Sequence, residues 1–247
     1  MKLHMLLDHD GYLPSCIDMS EGRCHDVNVM KKPEFNFPAL PPDSILTMER
    51  GYIDYTWLYS LEQTGVLFII REKSNMAYRI VGQHAEPVKN RGIISDELIE
   101  FTGFYQEKAY PAPLRRITYS YIDTKGAAQI ITVITNNMKH AASTIAALYK
   151  GRWEIETFFR WIKQNLRIKS FVGTSENAVM TQVWIAMILY LLLTFIKYQT
   201  RFTATITELL RIFREVLLET RSIIEYLRTN WEELIENRAR PIQLSLL

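Results

Sequence analysis

Residues 149–167, YKGRWEIETFFRWIKQNLR, combine a row of charges with an apolar stripe that begins one residue earlier. The apolar residues recur with a helical period and predict one buried face, formed by Leu148, Ile155, Phe158, Ile162 and Leu166. At about 100° per residue, a different face carries Tyr149, Arg152, Glu156 and Lys163. The pattern therefore predicts a continuous helix over residues 143–167 that packs on one side and is charged on the other.

The charged face of this segment is mostly basic. Residues 139–169 contain seven Lys or Arg residues and two Glu residues, Glu154 and Glu156. Glu156 has candidate partners one turn away on each side, Arg152 and Arg160. A surface helix with solvated charges would explain any one of these residues. The combined excess of positive charge instead favours an anionic partner.

The first 74 residues predict an α/β arrangement. Residues 3–7 and 12–19 alternate as two strands of a hairpin, and Asp26 is placed as the N-cap of a short helix. Residues 44–48 and 66–71 are typical of buried strands. Between them, Asp54 and Gly65 bracket a predicted helix over residues 54–63. Strand, helix and strand in this order predict a crossover and a partly parallel sheet.

The rest of the chain changes character twice. Residues 75–138 contain β-branched and aromatic runs at 77–81, 116–122 and 129–134, which predict an antiparallel β insertion. Helices are predicted beyond it at 143–167, 175–198, 203–219 and 221–236. Residues 183–196 are apolar on all sides but short of the roughly 20 residues that span a membrane. They predict a core helix that is covered on most sides.

Composition is compatible with a globular protein without specifying its function. The 247 residues are 48% hydrophobic, and the formal net charge is only +2. Contact with a nucleic acid would therefore depend on local clusters of positive charge. Cys16 and Cys24 are the only cysteines, which excludes a disulfide framework and a four-cysteine zinc site and suits the cytoplasm.

Three blocks of this sequence resemble the IS4-family DDE transposases. They are LHMLLDHDGYLPSCIDMSEGRCHDV, ERGYIDYTWLYSLEQTGVLFIIREKSN and YKGRWEIETFFRWIKQNLRIKSFVGTSENAV, in the order of the family. In the third block Tyr149, Arg152, Glu156 and Lys163 match the Y-R-E-K motif position by position. The similarity extends from Leu3 to about Lys197.

The resemblance implies an RNase H-like catalytic core, an α-helical C-terminal half and DNA transposition. In this family two Asp and one Glu hold two divalent ions, Mg²⁺ or Mn²⁺, that promote phosphodiester cleavage and strand transfer. Glu49 and Glu156 match the second and third acids, so both are candidate catalytic residues and metal ligands. Candidate DNA contacts are Tyr149, Arg152, Lys163, Arg160, Arg167, Lys169 and Lys73, with Arg71 beside them.

The sequence departs from the family pattern at two acids. Glu49 stands where the family usually has Asp, and the extra methylene moves the carboxylate by more than about 1 Å. The first acid belongs to a segment that the family places before residue 2, so its strand is expected to be missing from the core. Asp8 and Asp10 are explained by the hairpin turn. These departures motivate the hypothesis of an N-terminally truncated, weakly active or inactive copy.

Four regions are predicted: a partial core over residues 1–74, the β insertion over 75–138, core-completing helices over 139–200, and C-terminal helices over 201–247. DNA is the expected partner, and self-association through the C-terminal helices is considered. The alternative to an enzyme is a remnant that binds DNA or an intact transposase without cutting. Membrane association through residues 183–196 is the weakest reading.

Overall fold

A computed structural model describes residues 2–8, 13–20, 23–32, 40–86, 92–123, 126–165 and 175–216. The side chains of residues 215 and 216 are not described. The chain divides into two compact units, Met1–Thr157 and Phe158–Leu247. The strands are β1 Lys2–Leu7, β2 Pro14–Ser20, β3 Ile45–Met48, β4 Leu67–Arg71, β5 Tyr78–Gln83, β6 Ile93–Phe101, β7 Leu114–Ile122 and β8 Ala128–Thr135. The helices are α1 Asp26–Met30, α2 Tyr55–Gln63, α3 Phe104–Ala109, α4 Ala142–Gly151, α5 Trp153–Asn165, α6 Glu176–Thr200 and α7 Ile206–Val216.

The first unit contains a mixed six-stranded sheet with the order β3-β4-β8-β7-β6-β5. Strands β3 and β4 are parallel, as the strand, helix, strand pattern predicts, and every other pairing is antiparallel. The strands of residues 78–135 continue the same sheet, because β8 pairs directly with β4. This architecture confirms the α/β fold class and is consistent with an RNase H-like core. The four-region division stays a prediction.

Two apolar clusters lie on opposite faces of this sheet. Side chains alternate along β4, so Phe68 and Ile70 pack on one face with α2, while Ile69 packs on the other with α4. All three are fully buried. A strand buried on both faces reads as a continuous apolar run, which is why β4 is easily recognised in the sequence. Helix α4 contributes Ile145 and Tyr149 to its cluster.

The N-terminal hairpin is confirmed, with β1 antiparallel to β2. The short helix α1 is confirmed as well, but its predicted cap is wrong. His25 occupies the N-cap position, and no side chain caps the helix. Asp26 is the first helical residue and bonds instead to the Lys2 ammonium, at 3.0 Å. A local cap was therefore displaced by an ion pair with a residue that is distant in sequence.

The cap of α2 is confirmed and allows a direct test. The carboxylate of Asp54 accepts the Trp57 backbone N–H at 2.9 Å and the Lys31 ammonium at 2.6 Å. We expect Asp54→Ala to lower the free energy of unfolding by about 1 kcal/mol, since a backbone donor of the first turn loses its partner. Asp54→Asn should cost less, because asparagine caps helices about as well. Urea unfolding at pH 7 measures both.

The same carboxylate makes part of this stability dependent on pH. Burial alone would raise the pKa of Asp54, but the hydrogen bonds from Lys31 and Trp57 outweigh it and lower the pKa. A lowered pKa in the folded state stabilises the fold above the unfolded pKa, about 4, and this contribution disappears as the pH falls through the folded pKa. Wild type and Asp54→Asn should therefore converge in acid. A difference that grows in acid would contradict this assignment.

Two elements of the first unit were not predicted, β6 and α3. The sequence of β6, IISDELIEF, includes three acidic residues, which are uncommon in strands. One of them, Asp96, is buried because Arg115 on β7 pairs with it. The signal for this strand thus depends on a neighbour in the sheet.

In the second unit, α6 and α7 form an apolar cluster with Leu193, Ile196 and Leu209 at its centre. Ser175 caps α6, since its Oγ accepts the Ala178 backbone N–H at 3.3 Å. The helix continues to Thr200, so it is longer than the apolar run of residues 183–196. The prediction that it is covered on most sides is wrong, since seven large apolar side chains are exposed: Trp184, Ile185, Ile188, Leu191, Leu192, Phe195 and Tyr198.

Helix α6 is long and apolar enough to cross a membrane, and no other helix among the described ranges is. One such helix is weak evidence for a membrane protein, because core helices of other proteins meet the same criteria. The predicted helix over residues 221–236 lies outside the described residues.

Candidate active site

The predicted continuous helix over residues 143–167 is interrupted at Arg152. Helix α4 ends at Gly151, and α5 begins at Trp153. On either side of the interruption, hydrogen bonds span three residues: the Arg152 N–H donates to the Tyr149 carbonyl at 3.2 Å, and the Ile155 N–H to the Arg152 carbonyl at 3.1 Å. Glycine has low helix propensity, which favours a break here. The single charged face expected for the Y-R-E-K residues is therefore wrong.

The interruption changes the environment of Tyr149. Its side chain does not share a solvent-exposed face with the charges but is fully buried in the cluster between α4 and the sheet. Its hydroxyl reaches the edge of that cluster and donates a hydrogen bond to Glu49 Oε1 at 3.2 Å. The two residues are 100 positions apart in the sequence.

Glu49 follows directly after β3, at the carboxyl end of the parallel pair. Its Oε2 accepts the Arg50 backbone N–H at 3.3 Å and caps the 3₁₀ turn Arg50–Tyr52. Ligands of α/β proteins commonly bind at this edge of a parallel sheet. A third of the Glu49 side chain is exposed to solvent.

Arg152 connects the two predicted acids. Its Nη2 lies 2.8 Å from Glu49 Oε1 and 3.2 Å from Glu156 Oε1. The two carboxylate oxygens are therefore no more than about 6 Å apart. The predicted pairing of Glu156 with Arg152, one helical turn earlier, is confirmed. The structure thus brings four predicted residues together: Glu49, Tyr149, Arg152 and Glu156.

The guanidinium of Arg152 is held in an unusual environment for an arginine. Only 9% of its side chain is exposed, and its carbon Cζ lies 5.6 Å from the ring centre of Tyr149 and 5.5 Å from that of Trp153. Cation–π contacts of this kind stabilise a partly desolvated arginine. Its Nε is buried and has no hydrogen-bond partner among the described residues. One donor of the fork is therefore unpaired among the described residues.

Burial keeps the Tyr149 hydroxyl protonated. It raises the pKa of Tyr149, and the neighbouring Glu49 charge raises it further, while Arg152 and Arg71 act in the opposite direction. The neutral phenol is the form that can donate to Glu49. Tyr149 therefore positions the Glu49 carboxylate rather than competing with it for cations.

Arg71 and Tyr119 also face this site. Arg71 is the last residue of β4 and pairs with Val133 on β8. Tyr119 on β7 pairs with Ile131, two residues before Val133 on the same strand. Arg71 and Tyr119 therefore share one face of the sheet. Burial and the neighbouring Tyr121 raise the pKa of Tyr119 to about 12, although the Arg71 and Arg152 charges act in the opposite direction. The Tyr119 hydroxyl is buried without a partner among the described residues. Sequence reasoning missed Tyr119, since only its alternation with Tyr121 along β7 hinted at a shared face.

The other predicted residues make no hydrogen bond or ion pair with Glu49, Arg152 or Glu156 within the described part of the chain. Lys73 is half-buried beyond the end of β4. Arg160 and Lys163 are exposed on α5, in residues of the second unit. Arg167 and Lys169 lie outside the described residues, as does Asp10. Within the part of the chain that the structure describes, no three His, Cys, Asp or Glu side chains come together as a metal site.

Comparison with known proteins identifies the family of this chain. A family model for the transposase DDE domain matches residues 1–192, well over half of the chain. This chain belongs to the family of DDE transposase domains. The mixed six-stranded sheet and the clustered acids Glu49 and Glu156 lie within the matched residues.

Three relatives of this DDE transposase domain bear related names. The chain is 34% identical over 226 residues to "Putative transposase y4zB" of Sinorhizobium fredii, covering 90% of this chain and 61% of the relative. It is 30% identical over 203 residues to "Probable transposase for insertion sequence element IS5377" of Geobacillus stearothermophilus, covering 81% and 50%. It is 22% identical over 218 residues to "Putative transposase for insertion sequence element IS4SA" of Synechocystis sp., covering 87% and 59%.

The chain therefore spans between half and about three fifths of the length of these relatives. The match establishes the DDE transposase family, whereas the narrower assignment to the IS4 family stays a prediction.

Proposed function

We propose that this chain carries out the phosphodiester chemistry of DNA transposition, with Glu49 and Glu156 as the described part of its catalytic centre. The observation that carries the proposal is the convergence on Arg152 of these two acids, which are distant in sequence within the matched region. Membership of the DDE transposase family supports the reaction class. A cytoplasmic location remains part of the proposal.

The donor set fits a divalent metal. Glu49 and Glu156 supply carboxylate oxygens, which Mg²⁺ and Mn²⁺ prefer, and both side chains are partly open to solvent. Only one guanidinium, that of Arg152, contacts these two carboxylates within the described part of the chain. When bound, such ions activate a water or a DNA 3′-hydroxyl and stabilise the leaving oxygen. Two ions, as predicted from the family resemblance, require a further acid beyond this pair.

The chain's own residues have distinct roles in this proposal. Tyr149 holds the Glu49 carboxylate through its hydroxyl, and Arg152, whose Nε has no partner among the described residues, binds a phosphate. Arg71 adds a second positive charge at the same edge of the sheet. Contacts to phosphates position DNA without reading its sequence. The remaining proposed DNA contacts are Lys73, Arg160, Lys163, Arg167 and Lys169.

Cleavage of plasmid DNA tests the proposal without knowledge of the transposon ends. Supercoiled plasmid is incubated with the purified 247-residue chain and Mg²⁺ or Mn²⁺, and nicked circles are quantified. We expect nicking that Glu156→Gln and Glu49→Gln each reduce about a hundredfold, since each removes a ligand charge. Glu49→Asp, which restores the usual family residue, should retain or increase nicking. Glu154→Gln on the same helix is the matched control and should leave it unchanged.

The alternative function, DNA binding without cleavage, is favoured by the finding that only two acids converge among the described residues. It predicts binding that weakens steeply with salt and DNA that stays uncut in either metal. Nicking that survives Glu156→Gln would contradict the proposed catalytic centre. Binding with no nicking by the wild-type chain would support the alternative.

A further inference from the structure

Arg152 occupies the position in which a bound metal ion would have to compete with it for Glu49 and Glu156. A single atom, Nη2, contacts Oε1 of Glu49 and Oε1 of Glu156. The same oxygens are the proposed metal ligands. Neither carboxylate can give that oxygen fully to a metal while it accepts a hydrogen bond from the guanidinium. The arrangement therefore contains an internal competitor for the metal.

The edge of the guanidinium that carries Nη2 also carries an N–H group without a partner among the described residues. The Nε–H is buried and has no partner among the described residues, so the arginine is only partly satisfied where it lies. An arginine fork binds phosphate with two parallel N–H groups, and Nε with one Nη is such a pair. The positive charge of Arg71 lies near the same aromatic residues, Tyr119 and Tyr149, and would reinforce an anion there.

We propose that Arg152 couples DNA binding to metal binding. Without DNA its guanidinium neutralises Glu49 and Glu156 and holds them in place. When a backbone phosphate takes the fork, the guanidinium turns away from the carboxylates and exposes their oxygens to a divalent ion. Phosphate and metal then bind cooperatively, and each delays the other's departure. The inference rests on the proposed function, because it assumes that these two acids hold the metal.

Linkage makes the expected effect reciprocal. If DNA raises the affinity for Mn²⁺ by some factor, Mn²⁺ must raise the affinity for DNA by the same factor. Coupling of this kind is typically between fivefold and 150-fold, and we expect about tenfold here. A residue that only supported the local structure would produce no such coupling.

Binding of Mn²⁺ to the purified chain, followed by the loss of the electron paramagnetic resonance signal of free Mn²⁺, tests the proposal. Without DNA, Arg152→Gln should bind Mn²⁺ about tenfold more tightly than wild type, because the competing cation is gone. Arg152→Lys should restore the weak binding, since a cation again lies between the acids. Addition of a short duplex DNA should raise the Mn²⁺ affinity of wild type about tenfold and that of Arg152→Gln much less.

Arg79→Gln is the matched control. It also removes one positive charge and uncovers one carboxylate, that of Glu100, at an exposed pair outside the candidate site. It should bind Mn²⁺ as wild type does. Near-ultraviolet circular dichroism checks that each variant is folded. Unchanged or weaker Mn²⁺ binding by folded Arg152→Gln, including an absence of binding in both proteins, would overturn the coupling.

The variants of the acids separate this inference from the proposed function. If Glu49→Gln and Glu156→Gln bind Mn²⁺ as tightly as wild type, the metal is held elsewhere, and the proposed centre itself is wrong. If they lose Mn²⁺ while Arg152→Gln gains none, the centre stands and only the coupling by Arg152 fails. Tighter binding by Arg152→Gln that both acid substitutions abolish would support the two together.

Discussion

Loss of either partner of the Asp96–Arg115 pair should be among the most damaging single changes to this fold. The side chains are 2% and 1% exposed, and two hydrogen bonds of 2.7 and 2.6 Å join them. We expect Asp96→Asn or Arg115→Met to lower the free energy of unfolding by about 3–5 kcal/mol, because each leaves a buried charge without its counterion. Urea unfolding followed by tryptophan fluorescence measures this loss.

The arginine of this pair has a second task. Its Nη1 donates to the carbonyls of Asn137 and His140 at 3.1 and 2.6 Å, in the loop that leads from β8 to α4. Arg115→Met should therefore also loosen the start of the helix that carries Tyr149. Because Asp96→Asn leaves these two bonds in place, we expect Arg115→Met to be the more damaging of the two.

An exposed pair in the same sheet is the matched control. Arg79 and Glu100 join β5 to β6 at 2.8 Å, and their side chains are 67% and 37% exposed. Breaking this pair should change stability far less than breaking the buried pair, since water replaces the lost partner. Equal losses at the two pairs would show that burial is not what makes the Asp96–Arg115 pair important.

The parts of the fold that the sequence predicts are those with local signals. Helix α2 has its cap, Asp54, and its terminating Gly65, which adopts a φ of 79°. Strand β4 is a short apolar run that lies between Gly65 and the polar residues 71–73. The parallel pairing of β3 with β4 then follows from chain topology. In contrast, β6 was not predicted from the sequence. Its buried Asp96 is compensated by an ion pair with Arg115, which belongs to another strand.

The candidate site shows the same division between local and distant causes. The spacing of Arg152 and Glu156 predicts their contact correctly, since it depends on one helical turn. The approach of Glu49 does not follow from spacing and was expected only from the family resemblance. The break at Arg152 has a weak local signal in Gly151, and the contact with Glu49 helps to fix it. Once the helix breaks, Tyr149 is free to become part of the core.

Gly92→Ala should destabilise the fold through a single close contact. Gly92 has a φ of 74°, a region that costs an L-residue about 1–2 kcal/mol. A Cβ there would lie 2.5 Å from the Ser120 carbonyl oxygen, part of the sheet backbone. Overpacking of this kind costs roughly a further 1–3 kcal/mol. We therefore expect a total loss of about 2–5 kcal/mol in the free energy of unfolding.

Gly126→Ala separates the two causes. Gly126 has a similar φ of 81°, but a Cβ at this position would meet nothing within 4 Å. Its loss should be only the conformational part, about 1–2 kcal/mol. The difference between the two variants in urea unfolding then measures the clash with Ser120. Because Ser120 follows Tyr119 on β7, a backbone shift that relieved this clash would be transmitted toward the candidate site. Equal losses of unfolding free energy in the two variants would mean that β7 shifts away from the new Cβ at little energetic cost. Altered Mn²⁺ binding in Gly92→Ala alone would then show that this shift reaches the candidate site.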